Sequence, residues 1–343
     1  MTAILELRNA TKIYSSGLIN KRVTVALDQV TFAIEGENPM ITAIAGESGS
    51  GKTTMGMLML GFLEPTEGHI FYDGRDLWKS SKEEWSRFRR EVQAIFQDPF
   101  EVYNPFYKVD HVLTVPIEKF KLANSKQEAR SKMEEALEAV GLRPGETLGR
   151  YPHQLSGGQR QRITVARALL LNPRVIIADE PVSMVDASLR ATILESLRKL
   201  NREMHIPIMY ITHDLATAYH ICQNIIVLYR GSVAEAGDVD LIIREPQHPY
   251  TQLLVGSIPW PDPDRTWGAG QFMAKGEILG GYGHGCRFAP RCPVAMAICR
   301  EQQPPLYCTS PGRAVACYLY RDSIVLDGKD ISQVLNQVPA ATR

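Results

Sequence analysis

The chain has 343 residues, 44% hydrophobic and 22% charged, an ordinary globular balance, and room for two domains or one large domain with an appendage. Lys plus Arg and Asp plus Glu both number 38, so no net field draws the chain to nucleic acid or to an anionic membrane. Apolar runs such as residues 57–60 and 168–171 fall far short of a membrane span. The first ten residues mix acidic, basic and apolar types without a signal-peptide core. These features place the chain in the cytosol and leave any membrane service to a partner.

In chain order, residues 4–14 and 23–34 alternate as strands do, with a polar stretch, 15–22, between them. Residues 40–45 form a short apolar run that ends in glycines. Those glycines open a helical pattern through Met57, Leu58, Leu60 and Phe62, predicting strand, loop, helix. Residues 82–162 read as mostly helical, most clearly 125–140, which stops at Gly141. Strands are expected at 174–178, 206–211 and 224–229, with helices at 188–203 and 215–222 between them. That alternation predicts an α/β fold with a parallel sheet covered on both faces. After Glu245 the texture changes. Pro246, Pro249, Pro259, Pro261 and Pro263 are followed by glycines from Gly268 to Gly285, which reads as a linker or a loop-rich small domain. Five of the six cysteines lie beyond the first of these prolines.

Gly46-Glu47-Ser48-Gly49-Ser50-Gly51-Lys52-Thr53, followed by Thr54, fits the phosphate-loop pattern G-x-x-x-x-G-K-[ST]. Its glycines let consecutive N–H groups turn inward as an anion nest, and the helix that follows adds its positive end. Lys52 is expected to reach the β- and γ-phosphates of ATP, and the Thr53 hydroxyl to ligate Mg²⁺. Residues 175–180, Val-Ile-Ile-Ala-Asp-Glu, form an apolar strand ending in two carboxylates, at the edge where α/β ligand sites lie. Asp179 is expected to hold the magnesium and Glu180 to polarise the attacking water. The pair read alone could also be a helix cap.

Ser156-Gly157-Gly158-Gln159, after Leu155, is a second anion-type turn at a helix start. One nucleotide needs one γ-phosphate cradle per subunit, so a second cradle points to a site shared by two subunits. Here the chain resembles the nucleotide-binding subunits of ABC transporters, whose signature is LSGGQ. The resemblance runs over residues 5–254. Tyr14 stands where the family stacks an aromatic on adenine. Gln97, in Ile95-Phe96-Gln97-Asp98-Pro99, matches the Q-loop, which also reaches the magnesium. Asp186, in Ser183-Met184-Val185-Asp186, matches the D-loop, and His213 the switch histidine at the γ-phosphate. The resemblance implies a P-loop ATPase with a RecA-like parallel sheet core, an antiparallel β-subdomain and a helical subdomain at about 100–165, together spanning 1–255, with a loop-rich extension over 256–343. It implies two ATPase subunits facing head to tail, a copy or a paralogue, with the signature of one completing the ATP site of the other. Two transmembrane permeases and, indirectly, an extracytoplasmic binding protein complete the assembly, which puts the chain on the cytoplasmic face of the membrane. A DNA-repair ATPase of the same type would carry a long coiled-coil insertion, and a translation ATPase two heads; neither feature is present in this sequence.

Cys286, Cys292, Cys299 and Cys317 follow C-x5-C-x6-C-x17-C, with Cys308 between the last two. Disulfides are not expected in the cytosol. Four clustered thiols suggest a metal site, and the spacing lacks the C-x2-C pairs usual for zinc, which leaves an iron–sulfur cluster, zinc or no metal as readings. The segment 285–293, the Val315-Ala316-Cys317 ending and His248-Pro249-Tyr250-Thr251 resemble the C-terminal extension of the oligopeptide/dipeptide importer ATPases, some of which carry a [4Fe–4S] cluster there. Arg313 stands where that family often has His, and Cys308 is an additional thiol. Cys317 is the expected fourth ligand. Peptide is the expected cargo, with oligosaccharide as the alternative that the subfamily allows. Cys222, on a helix among apolar residues, reads as a core cysteine.

Overall fold

The computed structural model describes residues 3–16, 22–97, 103–183, 185–258 and 284–335. The middle of the 15–22 stretch, Asp98 and Pro99 of the Q-loop segment, Met184 of the D-loop segment, and the prolines and glycines at 259–283 lie outside the described residues. The chain forms two compact units. The first comprises residues 1–38, 42–78 and 211–343, the second 39–41 and 79–210.

Chain order runs β1 (Ala3–Ser16), β2 (Arg22–Glu35), β3 (Ile41–Ala45), α1 (Lys52–Met59), β4 (Glu67–Tyr72) and β5 (Arg75–Asp76). It then enters the second unit with α2 (Lys82–Glu91), β6 (Val92–Ile95), α3 (Asp110–Lys119), α4 (Lys126–Ala139), α5 (Pro144–Thr147), α6 (Gly157–Leu169), β7 (Val175–Asp179), α7 (Ala187–Met204) and β8 (Ile208–Ile211). The return to the first unit supplies α8 (Leu215–Ile221), β9 (Asn224–Tyr229), β10 (Ser232–Asp238), α9 (Val239–Arg244), α10 (Pro249–Gly256), α11 (Ala297–Glu301), β11 (Tyr307–Ser310), β12 (Arg313–Val315), β13 (Ile324–Val325) and α12 (Ser332–Leu335).

In the first unit, β1 and β2 pair antiparallel in a long hairpin, and the order β2-β1-β4-β5 makes a four-stranded antiparallel sheet. The register slips between Leu7 and Ala10, where Asn9 takes a left-handed φ of 49°, and again between Ala10 and Lys12, where Gln29 of the facing strand takes one of 48°. Such a bulge bends a strand without breaking it. The other strands of this unit run β13-β11-β12-β10-β9-β3. β3 and β9 are parallel and fully buried, as continuous apolar strands under helices should be. β9 and β10 are joined by Arg230 and Gly231, both at positive φ (46° and 83°), the two-residue turn that suits the strand twist. In the second unit, β6 and β7 pair parallel within the order β8-β7-β6.

Several expectations need correction. The stretch 82–162 is mostly helical, as expected, and also contains the strand β6, which was not expected. Four consecutive buried residues, Val-Gln-Ala-Ile, are too short a run for periodicity to separate strand from helix. β4, β5 and β10 were not expected as strands either. The helix after the phosphate loop ends at Met59, and Phe62 stands 59% exposed beyond it. The C-terminal extension is loop-rich, as expected, and carries short strands that the sequence did not predict. β12 pairs antiparallel with β10, and β11 and β13 extend that edge. These strands are short, and their pairing partners lie elsewhere in the chain. The expected helix at 125–140 is α4, capped by Ser125, whose hydroxyl accepts from the Glu128 N–H at 3.1 Å, and stopped by Gly141 at φ 70°.

Candidate functional site

In the first unit, the loop between β3 and α1 is built around three glycines at positive φ: Gly46 (148°), Gly49 (77°) and Gly51 (107°). Two of them admit no side chain. A Cβ on Gly46 would lie 2.3 Å from the Leu228 carbonyl oxygen, and one on Gly51 2.4 Å from that of Ala26. The loop is therefore wedged between β9 and β2. The hairpin turn braces it further. The Gly231 N–H donates to the Ser50 carbonyl at 2.7 Å, and the Asp28 N–H to the Gly231 carbonyl at 2.8 Å.

Gly51 heads α1, and no side chain caps that end. The first N–H groups of a helix have no partner within it, so this end is set for an anion. Ser48, Gly49 and Thr53 are exposed, Thr54 is half-buried, and Ser50 and Lys52 are buried. The Lys52 ammonium is folded back across the loop, donating to the carbonyls of Gly46 (2.7 Å) and Glu47 (3.0 Å). Glu47 faces the other way. Its N–H donates to the Tyr250 hydroxyl at 2.8 Å, and its carboxylate accepts a two-pronged bond from Arg291 at 2.9 and 3.1 Å.

His213 also belongs to this unit. The Thr212 N–H donates to the Ile44 carbonyl of β3 at 3.1 Å, which sets the exposed His213 just past that strand's end. Asp214 caps α8, accepting from the Ala216 N–H at 2.9 Å. Tyr14 lies on β1 opposite Thr24, 42% exposed, with the Lys12 ammonium 5.6 Å from its ring centre.

In the second unit, β7 is buried up to Ala178 and delivers Asp179 and Glu180, both half-buried, at its C-terminal end. Glu180 has a φ of 45°, a left-handed backbone rare for a glutamate and frequent at functional sites. Ser183 holds that turn, its N–H and hydroxyl both donating to the Glu180 carbonyl, at 3.2 and 3.0 Å. Asp186 is the exposed N-terminal boundary residue of α7. Gln97 is half-buried just beyond β6. Next to it, the Phe96 carbonyl accepts from the buried Gln161 side chain of α6 at 3.1 Å. Sequence reasoning assigned Gln161 nothing, because its partner is another segment's backbone. At the start of α6, Ser156 and Gln159 form a reciprocal capping box. The Ser156 hydroxyl accepts from the Gln159 N–H (3.2 Å), and the Gln159 side chain accepts from the Ser156 N–H (2.9 Å). Ser156 is exposed and Gly157 half-exposed, while Gly158 is buried against Leu189.

The comparisons place this arrangement. Residues 27–183 match the family model described as "ABC transporter", and residues 234–299 the one described as "Oligopeptide/dipeptide transporter, C-terminal region". The putative oligopeptide transport ATP-binding protein YkfD of Bacillus subtilis is 43% identical over 306 residues, covering 88% of this chain and 92% of that protein. The chain belongs to the ABC transporter family. The oligopeptide transport ATP-binding protein AppF of Bacillus subtilis is 39% identical over 324 residues, 92% of this chain and 97% of that one. A dimeric ATP-binding cassette solved in a post-hydrolysis state with ADP and Pi is similar in structure, with a TM-score of 0.60 and 32% identity over 68% of this chain and 98% of that one. The cassette is thus an ATPase, working on ATP with Mg²⁺. Among the described residues, no helix is long and apolar enough to cross a membrane.

Cys286, Cys292, Cys299 and Cys317 all line one cavity of the first unit, together with His248, Phe288, Met296 and Tyr318. Cys308 and Arg313 do not line it. The Cys308 thiol faces the Ser310 carbonyl, and the buried Arg313 donates to the Leu241 carbonyl. Burial pushes the Cys286 and Cys292 thiols up and Cys317 to about 11, with the neighbouring thiols adding to the shift. Among the described residues, no three His, Cys, Asp or Glu side chains are grouped to hold a metal ion. Cys222, the C-terminal boundary residue of α8, is buried, a core thiol as expected.

Proposed function

We propose that the chain is the ATP-hydrolysing subunit of an importer for oligopeptides or dipeptides, working at the cytoplasmic face of the cell membrane. The observation that carries this reading is the match of residues 234–299 to the oligopeptide/dipeptide C-terminal region, joined to relatives named for peptide transport or import along nearly their whole length. Those names favour peptide over oligosaccharide. The domain division stays as read from the sequence: a cassette over 1–255, with its helical part at about 100–165, and an extension over 256–343.

The roles follow the motifs. Residues 46–54 bind the phosphates, with Lys52 swinging from its carbonyl partners to the β- and γ-oxygens, and Tyr14 stacks on adenine. Thr53, Gln97 and Asp179 serve magnesium. Glu180 is the base that takes the proton of the attacking water, and His213 contacts the γ-phosphate. Ser156, Gly157, Gly158 and Gln159 act on the ATP of a second ATPase subunit, with Asp186 at that interface. An exposed signature whose polar groups are already mutually satisfied suits such a use, because it stays formed while waiting for its partner. Two permeases and an extracytoplasmic binding protein complete the importer.

For the extension we propose a [4Fe–4S] cluster on Cys286, Cys292, Cys299 and Cys317. Four thiols lining one cavity, at a sequence spacing that lacks the C-x2-C pairs usual for zinc, support a cluster that takes each thiolate at its own corner. Bound iron would also supply the positive charge that buried thiolates need. Iron and sulfide analysis of anaerobically purified protein tests this, and a preparation free of both removes the cluster.

The function itself is tested by reconstitution with the permeases and binding protein. Glu180→Gln is expected to abolish turnover and leave ATP-bound dimers. Near wild-type ATPase activity would remove Glu180 as base. ATP-dependent uptake of an oligosaccharide rather than a peptide would overturn the cargo.

A further inference from the structure

Glu47 occupies the second position of the phosphate loop, and both of its outward contacts come from the far C-terminal part of the chain. Arg291 meets its carboxylate with two parallel N–H···O bonds, and Tyr250 accepts its backbone N–H. Paired forks of this kind fix orientation as well as distance. Neither partner is loose. Tyr250 is fully buried, and its ring packs against Tyr229 (4.5 Å between centres) and Phe288 (5.6 Å). The Arg291 guanidinium lies 5.8 Å from the Tyr229 ring centre and 5.7 Å from that of Phe288, and reaches the Tyr229 hydroxyl at 3.4 Å. The turn that carries Arg291 is pinned by the Arg291 N–H to the Phe288 carbonyl (2.9 Å) and by the Cys286 N–H to the Cys299 carbonyl (2.8 Å). A second arginine of the same turn, Arg287, bonds Asp28 of β2 at 2.6 Å and the Arg230 carbonyl of the hairpin that braces Ser50.

These contacts grip the loop only from behind. The Ser50 N–H donates within the loop to the Glu47 carbonyl at 3.1 Å, and that same carbonyl accepts from Lys52. The placement of Glu47 therefore sets both the curl of the loop and the resting position of the lysine.

We propose that Arg291 and Tyr250 are positioning residues for ATP, holding Glu47 so that the loop is preformed for the phosphates. The inference deepens the proposed function and rests on its reading of residues 46–53 as the phosphate site. A preformed site does not spend binding energy on ordering itself, so loosening the clamp weakens ATP affinity more than the chemical step.

The test is calorimetric titration of the full-length chain with Mg-ATP, paired with steady-state ATPase kinetics of the assembled complex. Arg291→Ala is expected to raise Kd and KM about tenfold with kcat changed less than about twofold. Tyr250→Phe, which removes only the hydroxyl, is expected to raise Kd about threefold to fivefold. Glu47→Ala leaves the C-terminal packing intact and is expected to match Arg291→Ala, and the double variant to be no worse than either single one. Arg291→Lys, which keeps the charge and loses the fork, is expected to recover only part of the loss. Wild-type affinity in Arg291→Ala and Glu47→Ala overturns the clamp, as do losses that add in the double variant. So does wild-type affinity in the double variant alone, because the arginine would then merely neutralise the carboxylate. Lys52→Ala is the reference arm. If it keeps full ATP affinity, the loop itself is misread, whereas loss there beside intact affinity in the other variants overturns only the clamp.

Discussion

Two glycine-rich helix starts in this ABC ATPase look alike as strings and are held by opposite means. The loop at 46–53 is a tertiary object. Gly46 and Gly51 are pressed against backbone from β9 and β2, and Glu47 is tied to Arg291 and Tyr250. The turn at 156–159 is a local object. Its two polar side chains satisfy its own backbone through a capping box, a Cβ on Gly157 would meet nothing within 4 Å, and its tertiary contact is the Leu189 side chain against Gly158 rather than backbone. In the roles proposed above, a loop that grips a nucleotide within its own subunit gains from being fixed in advance, and a turn that docks on another subunit gains from an exposed, self-capped start.

The sharpest way to break this comparison is to add one methyl to each region. Gly51→Ala forces a side chain into a positive φ and against the Ala26 carbonyl, and is expected to cost about 3 kcal/mol or more and to abolish ATP binding. Gly157→Ala is expected to change stability by less than about 0.5 kcal/mol. Denaturant unfolding of the two variants checks the pair, and equal losses would dissolve the contrast. Next in size, Lys52→Ala is expected to weaken Mg-ATP binding about a hundredfold by calorimetry without unfolding the chain.

Acid should act on the tertiary support and spare the local turn. Burial holds His248 down at about 4, and its Nδ1 accepts the N–H of Tyr250 at the start of α10. A histidine whose folded value lies below its unfolded value resists protonation in the native state. Its contribution is therefore whole above about pH 6.5 and is lost as pH falls toward 4. Between about pH 7 and pH 5 it is expected to cost about 2 kcal/mol of stability. His248→Asn keeps a capping oxygen without the titration and should flatten that part of the pH–stability curve. A smaller effect than that of acid is expected for Ser156→Ala, about 1 kcal/mol from the lost cap, with ATPase activity lowered only in assembled complexes. Activity lowered equally in dilute, monomeric protein would count against a signature that acts on a partner.

Most of the candidate site was legible because its motifs are contiguous. A buried strand, a glycine turn and a helix start follow one another in the chain, so residues 46–53, 175–180 and 156–159 announce their geometry through local backbone demands. Shorter elements were not legible. β6 has four residues, and β10 to β13 are strands only because they find one another. Gln161 illustrates the same limit within the site, since its role comes from the Phe96 carbonyl of a distant segment.

The sequence by itself determined the motifs: a G-x-x-x-x-G-K-[ST] loop with Lys52 and Thr53, a strand ending in Asp179 and Glu180, a Ser-Gly-Gly-Gln turn and four ordered cysteines. These depend on residue type and near neighbours, and near neighbours are what a sequence displays. Only the tertiary structure decided how those motifs are held. It brought Arg291 and Tyr250 to Glu47, set β12 beside β10, and gathered four thiols around one cavity. Each of these depends on closing long stretches of chain, whose cost is repaid only when many non-local contacts form together, and no short window of sequence contains both partners.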